Sequence, residues 1–471
     1  MNALDFAHSL IAEHDPSGEL PQCHIKRIEI GPAALESIPN ILNQFVELGK
    51  QIVVICDKVP IYRLGKNAKL EIQSVLEKQF KVSVIELEDG HPELHASEEV
   101  IKIASVRAVG CDAIVSIGGG TITDIAKMTS VALDGVPHVA IQTAASVDGF
   151  SDNVSVIQIN GVKRTVPSRW PEALIADTNL ISEAPERLNR AGFGEIYSMF
   201  TAPADWRLAA ILGFEKKFHW APISLLHGVG DGIDEWSIGL KDSEATSIDK
   251  LVNALAVRGI VTGVADTTAC LSGIEHLYSH MLDMHHTAHH QEIGQHGAQV
   301  GVGSVLAASV WKFIFANLPD IDISRIKLIE KEPLREKVFQ TFDKLDNNHK
   351  LSQECWNDYE KKIDYWNSHL NEIQILLSNW QEHESELKNL IKTPEKIEQG
   401  LINAGSPSIS EELQPQVNRE LSRWALEHCH FMRNRFVGID LLQFLGLWNS
   451  TTIENILGET SNLSSKKVDQ L

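Results

Sequence analysis

Short apolar runs alternate with amphipathic stretches from about Ile28 to Asp177. Continuous apolar runs are typical of strands buried on both faces of a parallel sheet, whereas apolar positions three and four residues apart indicate helices. The predicted strands are Gln51–Asp57, Lys81–Leu87, Ala113–Ile117 and Val139–Gln142, and the predicted helices between them include Leu70–Phe80 and Ser97–Val109. This alternation predicts an open, mostly parallel α/β sheet with all four strands buried.

Strand patterns end near Glu183, and helical patterns continue to the end of the chain. We therefore place a domain boundary at Ala184–Pro185. Residues 1–184 are predicted to form an α/β domain and residues 185–471 an all-helical domain, with the active site expected in the cleft between them.

A heptad pattern lies within a helical insertion near residues 340–395. Apolar side chains there recur at alternating spacings of three and four, which predicts one apolar stripe along a charged helix. We expect this stripe to pack on the protein's own helical domain, and an intermolecular coiled coil is the alternative. The stripe consists of Trp356, Tyr359, Ile363, Trp366, Leu370, Ile373, Leu377 and Trp380.

Composition narrows the functional classes. The chain has 471 residues, of which 43% are hydrophobic and 22% charged, so it is long enough for two packed cores. Its net charge of -21 disfavours nucleic acid and anionic membranes as partners. No signal-peptide pattern and no apolar run of about 18 residues are evident. We therefore expect a cytoplasmic location and no membrane insertion. The six scattered cysteines include no CxxC pair and are expected to be reduced.

Three histidines suggest a metal site. His276 and His280 are one helical turn apart, and a second helix beginning at His296 can bring a third imidazole to the same point. Imidazole suits zinc, nickel and iron, and about three protein ligands leave coordination positions open for a substrate. We interpret the neighbouring histidines as a polar loop between the two helices: His285, His286, His289 and His290.

A glycine triplet suggests a dinucleotide site. Ser116–Lys127 runs from a strand through Gly118, Gly119 and Gly120 into a helix, where free N–H groups and the helix dipole favour a pyrophosphate. Asp57 ends an earlier strand, where a carboxylate can bind an adenosine ribose and weakly favours NAD over NADP. A plain tight turn and a surface aspartate are the alternatives. The loop Gln142–Phe150 follows the next strand and adds hydroxyls and a carboxylate at the same sheet edge.

Taken in order along the chain, these motifs resemble the sn-glycerol-1-phosphate dehydrogenase family, within the dehydroquinate synthase and iron-containing alcohol dehydrogenase superfamily. The likeness covers nearly the whole chain except the heptad region. The motifs that carry it are Gly118–Asp124, Thr143–Gly149, Gly192–Glu195, Asp205–Arg207, Glu275–His280, His296–Gly301, Arg433–Leu442 and Gly446–Trp448.

The resemblance implies a dehydroquinate synthase-like fold, a homo-oligomer (dimer or larger), and reduction of dihydroxyacetone phosphate by NADH or NADPH to sn-glycerol 1-phosphate. It assigns one divalent metal to Glu195, His276 and His296, and places His280 and Asp148 at the substrate, where either can relay the proton. It assigns to the dinucleotide Gly118, Gly119, Gly120, Thr121, Ile122, Thr143 and Ser146. We also expect Asp57, Asp124 and Asp152 at the dinucleotide site.

Three departures from the family pattern affect these expectations. Glu195 replaces an aspartate but can still ligate, Met199 replaces a lysine that could hold phosphate, and Asp152 replaces a serine and adds an anion near the dinucleotide. The exact ketone therefore stays open. A lyase that uses NAD transiently, suggested by Glu195, and a non-catalytic binding module, suggested by Met199, are the alternative functions.

Overall fold

The computed structural model describes residues 2–91, 93–159, 162–346 and 348–458. The chain forms two compact units, each made of two segments. The first unit comprises Met1–Gly192 and Trp220–Thr267, and the second comprises Phe193–His219 and Thr268–Leu471.

All strands in the described residues belong to the first unit. They are β1 (Arg27–Gly31), β2 (Gln51–Asp57), β3 (Tyr62–Arg63), β4 (Lys66–Asn67), β5 (Lys81–Leu87), β6 (Ala113–Gly118), β7 (His138–Gln142), β8 (Val154–Ile159), β9 (Val162–Pro167) and β10 (Ala173–Asp177).

Helices occur throughout the chain, and short 3-10 turns join several of them. The α-helices are α1 (Ala3–His14), α2 (Ile38–Leu42), α3 (Ala68–Glu77), α4 (Glu98–Arg107), α5 (Gly120–Ala132), α6 (Thr178–Ser182), α7 (Glu186–Ile196), α8 (Ala202–Ile211), α9 (Trp220–Val229), α10 (Ile233–Trp236), α11 (Ala245–Ala265), α12 (Ile274–Ala288), α13 (His296–Asn317), α14 (Lys331–Phe342), α15 (Lys350–Ser368), α16 (Leu370–Ser378), α17 (Trp380–Asn389), α18 (Pro394–Asn403), α19 (Arg419–His428) and α20 (Gly438–Phe444). The 3-10 helices are Ala34–Ser37, Tyr197–Phe200, Ser237–Asp242, Leu318–Asp320, Ile323–Arg325, Ser410–Glu412 and Cys429–Met432.

A six-stranded parallel sheet in the order β1-β10-β7-β6-β2-β5 forms the centre of the first unit. The inner strands β10, β7, β6 and β2 are almost completely buried because apolar clusters cover both faces. The prediction of a parallel α/β sheet is confirmed. The expectation that Lys81–Leu87 is buried is wrong, since β5 is an edge strand whose Val84 is 38% exposed.

Two features of the first unit were missed in the sequence. Strands β8 and β9 form an antiparallel hairpin, with Val154 paired to Pro167, and their mixed polarity gives no strong strand signal. Helix α11 is buried almost all round and packs on α1, α6, α9 and β1. Because of that packing, Trp220–Thr267 belongs to the first unit. The predicted division into two contiguous domains at Ala184–Pro185 does not describe this arrangement.

The second unit is helical throughout its described residues. Its longest helix, α13, lies within a segment, His296–Asp320, that is long and apolar enough to cross a membrane by length and composition alone. Most of that apolar stretch is buried inside the protein, which is typical of a core helix. The expectation that no apolar run approaches membrane-spanning length is therefore wrong for α13. Its small and aliphatic residues alternate, so the sequence shows several short apolar runs instead of one long run.

The heptad stripe packs within this unit, as expected, and all of its side chains are buried except that of Leu370, which is half-buried. Tyr359 packs edge-on against Phe431, and Trp366 packs against Phe444. The expectation of one continuous helix is wrong: it divides into α15, α16 and α17, with His369 and Asn379 in non-helical backbone conformations at the two junctions.

Candidate metal centre and dinucleotide loops

Close approaches at glycines bring the end of α7, which belongs to the second unit, together with α12 and α13. A Cβ on Gly194 of α7 would lie 2.3 Å from the carbonyl oxygen of Gly297, so only hydrogen fits between α7 and the start of α13. A Cβ on Gly303 would lie 2.7 Å from the carbonyl oxygen of Glu275, so α12 also approaches α13 closely. These approaches place the residues after Gly194, Glu275 and Gln295 around one point.

Glu195, His276 and His296 meet at that point. Their ligand atoms all lie within 4.8 Å of one another. The Nε2 atom of His276 is 3.0 Å from Oε1 of Glu195, and the Nε2 atom of His296 is 3.8 Å from Oε2 of Glu195. Donor atoms around a tetrahedral zinc ion are about 3.4 Å apart, so the three side chains are spaced as a metal requires.

Hydrogen bonds orient both imidazoles for ligation. Nδ1 of His276 donates to Oε1 of Glu275 at 3.0 Å. The hydroxyl of Ser279 donates to Oε1 of Gln299 at 2.7 Å, so it accepts from Nδ1 of His296 at 3.0 Å. Each imidazole therefore turns its Nε2 atom towards Glu195, the orientation typical of metal-bound histidine.

The carboxylate behind His276 is itself fixed. Glu275 is fully buried, and it accepts from the Thr201 hydroxyl at 2.9 Å and from the Gly273 N–H at 2.6 Å. Burial alone would lower the pKa of His276, but the carboxylates of Glu195 and Glu275 outweigh it and raise that pKa to about 9. Because two carboxylates flank this buried imidazole, the site favours a positive charge there, which a proton or a metal ion can supply.

His280 lies beside this centre. Its ring is partly exposed and stacks on the ring of His296, with centroids 5.5 Å apart. Sequence reasoning missed Asp283, which is buried and whose carboxylate lies within 4.8 Å of ligand atoms of His280 and His296. The signal was available, because Asp283 is three residues after His280 on the same face of α12.

Two further expectations for this unit have clear outcomes. His285 and His286 belong to the last turn of α12 rather than to a loop, so that expectation is wrong for them. The loop prediction holds for His289 and His290, which follow the end of the helix. Arg435 donates to the Ser272 carbonyl and to the Thr268 hydroxyl, both within the second unit.

The glycine triplet connects the carboxyl end of β6 to α5 in the first unit. A Cβ on Gly118 would lie 2.7 Å from Cβ of Ile122, and a Cβ on Gly120 would lie 2.9 Å from Val147, so both glycines are required by packing. A Cβ on Gly119 would meet nothing within 4 Å. Gly119 therefore presents open backbone at a helix N-terminus, which fits a pyrophosphate.

The other positions assigned to the dinucleotide differ in their surroundings. Thr121 is exposed, Ser146 is partly buried, and Ile122 and Thr143 are buried, with the Thr143 N–H donating to the Gly118 carbonyl at 3.2 Å. Asp57, at the end of β2, pairs with Nζ of Lys69 at 2.8 Å. This pairing reduces the negative charge that Asp57 would present to a 2′-phosphate, so the argument for NAD over NADP is weaker than the sequence suggested.

Asp124 and Asp152 lie on either side of a buried lysine. The Lys127 ammonium, fully buried, donates to Oδ1 of Asp152 at 2.6 Å and to the Gly149 carbonyl at 2.8 Å, and it also contacts Val154. Asp124 lies 3.5 Å from the same ammonium and accepts from the Val156 N–H at 3.2 Å. The anion expected from Asp152 is thus compensated within the first unit.

Burial raises the pKa of Asp152 to about 7, while Lys127 opposes the rise. Asp148 is held in a similar way, since its Oδ2 lies 3.2 Å from the buried guanidinium of Arg258. Neither Lys127 nor Arg258 was predicted from sequence, because a basic residue within an apolar helix pattern gives no indication of its partner.

Comparison with known proteins identifies the family. The model for iron-containing alcohol dehydrogenases matches residues 29–185. Glycerol-1-phosphate dehydrogenase [NAD(P)+] of Pyrococcus horikoshii is 31% identical over 295 residues, covering 61% of this chain and 80% of that protein. The chain belongs to the glycerol-1-phosphate dehydrogenase family.

The family resemblance inferred from the motifs is thereby confirmed. Another family protein of the same name, from Bacillus velezensis, is 26% identical over 419 residues, covering 89% of this chain and 91% of that protein. Maleylacetate reductase of Agrobacterium tumefaciens has a similar structure at 14% identity, with a TM-score of 0.57 and coverage of 94% of this chain and 97% of that one. The predicted fold class, an α/β nucleotide-binding part followed by a helical part, is also confirmed.

Proposed function

We propose that the protein is a metal-dependent, NAD(P)-linked dehydrogenase that reduces dihydroxyacetone phosphate, or a closely related small ketone, to sn-glycerol 1-phosphate or the matching alcohol. The observation that carries the proposal is the convergence of Glu195, His276 and His296 on one point, in a chain of the glycerol-1-phosphate dehydrogenase family. We expect a cytoplasmic homo-oligomer, a dimer or larger.

The donor set fits a divalent metal. One carboxylate and two imidazoles suit zinc, nickel or iron, and leave positions open for substrate oxygens. When bound, the metal supplies Lewis-acid polarisation of the ketone oxygen. Glu195, His276 and His296 would hold it, and Glu275 would keep the ring of His276 in the ligating orientation.

The remaining side chains would bind and orient the reactants. Open backbone at Gly119 and the N-terminus of α5 would hold the pyrophosphate of the dinucleotide, which supplies the hydride. His280, partly exposed beside His296, would donate a proton to the oxygen of the former carbonyl group. Asp148, fixed by Arg258, is the other candidate for that proton relay.

A nicotinamide absorbance assay tests this function. Metal-free protein is loaded separately with zinc, nickel or iron and offered dihydroxyacetone phosphate, dihydroxyacetone or glyceraldehyde phosphate with NADH and with NADPH. We expect net oxidation of the cofactor, fastest with dihydroxyacetone phosphate. Catalysis without net oxidation of NADH would instead support the lyase alternative.

Matched variants connect the activity to the centre. His296→Ala should lose both metal and turnover while keeping its circular dichroism spectrum, whereas the control His289→Ala, in the loop after α12, should keep both. Full activity of metal-free wild-type protein would refute the proposed role of the centre.

A further inference from the structure

A second group of metal-ligating side chains lies in the first unit, in the loop between β5 and α4. Asp89, His91 and His95 place their ligand atoms within 4.8 Å of one another. The loop begins after Leu87, the last residue of β5, and ends at Ser97, the N-cap of α4. These residues belong neither to the Glu195 centre nor to the glycine loop.

The backbone around this group is held in place. Oδ1 of Asp89 accepts from the His91 N–H at 3.1 Å, and Oδ2 accepts from the His95 N–H at 2.9 Å. Gly90 has φ of 81°, a left-handed conformation that glycine adopts without strain. Leu94 packs against the apolar core on one face of the sheet. The Asp89 carboxylate thus holds the backbone N–H groups of His91 and His95 beside it, which lowers the entropy lost when an ion binds.

The geometry of the side chains matches that of a small chelate. Oδ2 of Asp89 lies 2.8 Å from Nδ1 of His95, and the ring of His91 meets the ring of His95 edge-on with centroids 4.9 Å apart. A divalent ion can replace the proton shared between Asp89 and His95 and take its third ligand from His91. Because His91 is exposed, water can complete the coordination.

We propose that Asp89, His91 and His95 form a second divalent metal site that fixes the β5–α4 loop. Two imidazoles and one carboxylate favour zinc, nickel or copper, whereas magnesium and calcium prefer all-oxygen ligands. The site uses none of the residues assigned to the dehydrogenase function, and its loop begins beside Asp57, which pairs with Leu87 between β2 and β5.

Metal stoichiometry tests the proposal. Metal-free full-length protein is titrated with zinc by calorimetry, and bound zinc is measured by mass spectrometry after gel filtration. We expect about two zinc ions per chain in the wild type and about one in His91→Ala and in His95→Ala. Magnesium should give no heat from this loop.

Control variants separate this site from other histidines. His8→Ala changes an exposed histidine of α1 and should leave both ions bound. His285 and His289 stack with ring centroids 4.2 Å apart, so the double variant His285→Ala/His289→Ala tests a competing cluster. Loss of the second ion in that double variant, or unchanged zinc binding in His91→Ala, would overturn the proposal.

The failure of either metal site can be recognised separately. His296→Ala should remove one ion together with turnover and leave the heat assigned to the β5–α4 loop. In that background, zinc should raise the thermal unfolding temperature, and adding His91→Ala should abolish the rise. No rise in the single variant would contradict the loop site without affecting the proposed function.

Discussion

Lys127→Met tests the buried charge cluster of the first unit. Methionine keeps most of the apolar volume of the lysine stem and removes only the ammonium. That ammonium contacts Asp152 at 2.6 Å, Asp124 at 3.5 Å and the Gly149 carbonyl at 2.8 Å, and it is fully buried. The variant leaves two buried carboxyl groups without their shared cation.

The expected loss of stability is large at neutral pH. Removing one partner of a buried ion pair costs about 3–5 kcal/mol, because the remaining charge stays desolvated. Replacing both partners with apolar groups of similar volume is often neutral. Lys127→Met/Asp152→Leu should therefore recover much of the loss, although Asp124 keeps the recovery incomplete.

The loss should depend on pH in a defined direction. Burial raises the pKa of Asp124 to about 6 and that of Asp152 to about 7 even with Lys127 present. A carboxyl group whose pKa is higher in the folded state binds protons more tightly there, so its contribution to stability falls as the pH increases from about 4 through the folded pKa. Lys127→Met raises both pKa values further, so its destabilisation should be greater at pH 8 than at pH 5, by about 1.4 kcal/mol for each added pKa unit.

Urea unfolding at pH 5, 7 and 8, followed by circular dichroism, measures this effect. Lys102→Met, at an exposed position on the neighbouring helix α4, is the control and should unfold with the wild type at each pH. An unfolding midpoint for Lys127→Met that equals the wild-type value at pH 8, or a greater loss at pH 5, would refute the reasoning.

Four other substitutions test the site and the core. Gly119→Ala should unfold like the wild type but bind NADH more weakly in a fluorescence titration, because its Cβ enters open space, whereas Gly118→Ala should be destabilised by its clash with Ile122. Equal thermal stability of the two variants would contradict this. Glu275→Gln should weaken zinc binding by about 10–100-fold in a chelator competition, since it loses the charged partner of His276. Unchanged affinity would show that Glu275 does not support the ligand. Trp366→Ala should cost about 3–5 kcal/mol in urea unfolding, and an intact midpoint would mean that the heptad stripe is dispensable.

The meeting of the histidines could be predicted from sequence because two of them lie in one local pattern. His276 and His280 are one turn apart, and His296 begins a helix next to glycines, so the spacing alone indicates a common face. The resemblance added Glu195, which no local pattern relates to the histidines. Ser279 and Gln299 orient His296 through packing between α12 and α13, and sequence periodicity does not reveal that contact.

The sheet could be predicted where strands are buried on both faces. Gln51–Asp57 was predicted with the bounds that the structure shows, because its continuous apolar run is typical of a strand that is buried on both faces. The hairpin β8–β9 was missed because one of its faces is exposed. In addition, Lys127 of helix α5 contacts Val154 at the start of β8, and the local sequence of the hairpin does not reveal that contact. The breaks at His369 and Asn379 were missed because a heptad pattern records which face is apolar and not whether the axis is continuous.

The return of α11 to the first unit has a consequence for synthesis. A nascent chain that has emerged from the ribosome up to Gly192 contains every strand of the sheet, but it lacks helix α11, which covers part of that sheet. Apolar surface near β1 and α6 therefore stays exposed to solvent. That surface closes only after Thr267 has emerged, by which time Phe193–His219 is already outside the ribosome. Molecular chaperones should therefore bind nascent chains that end before α11 more strongly than nascent chains that end after it.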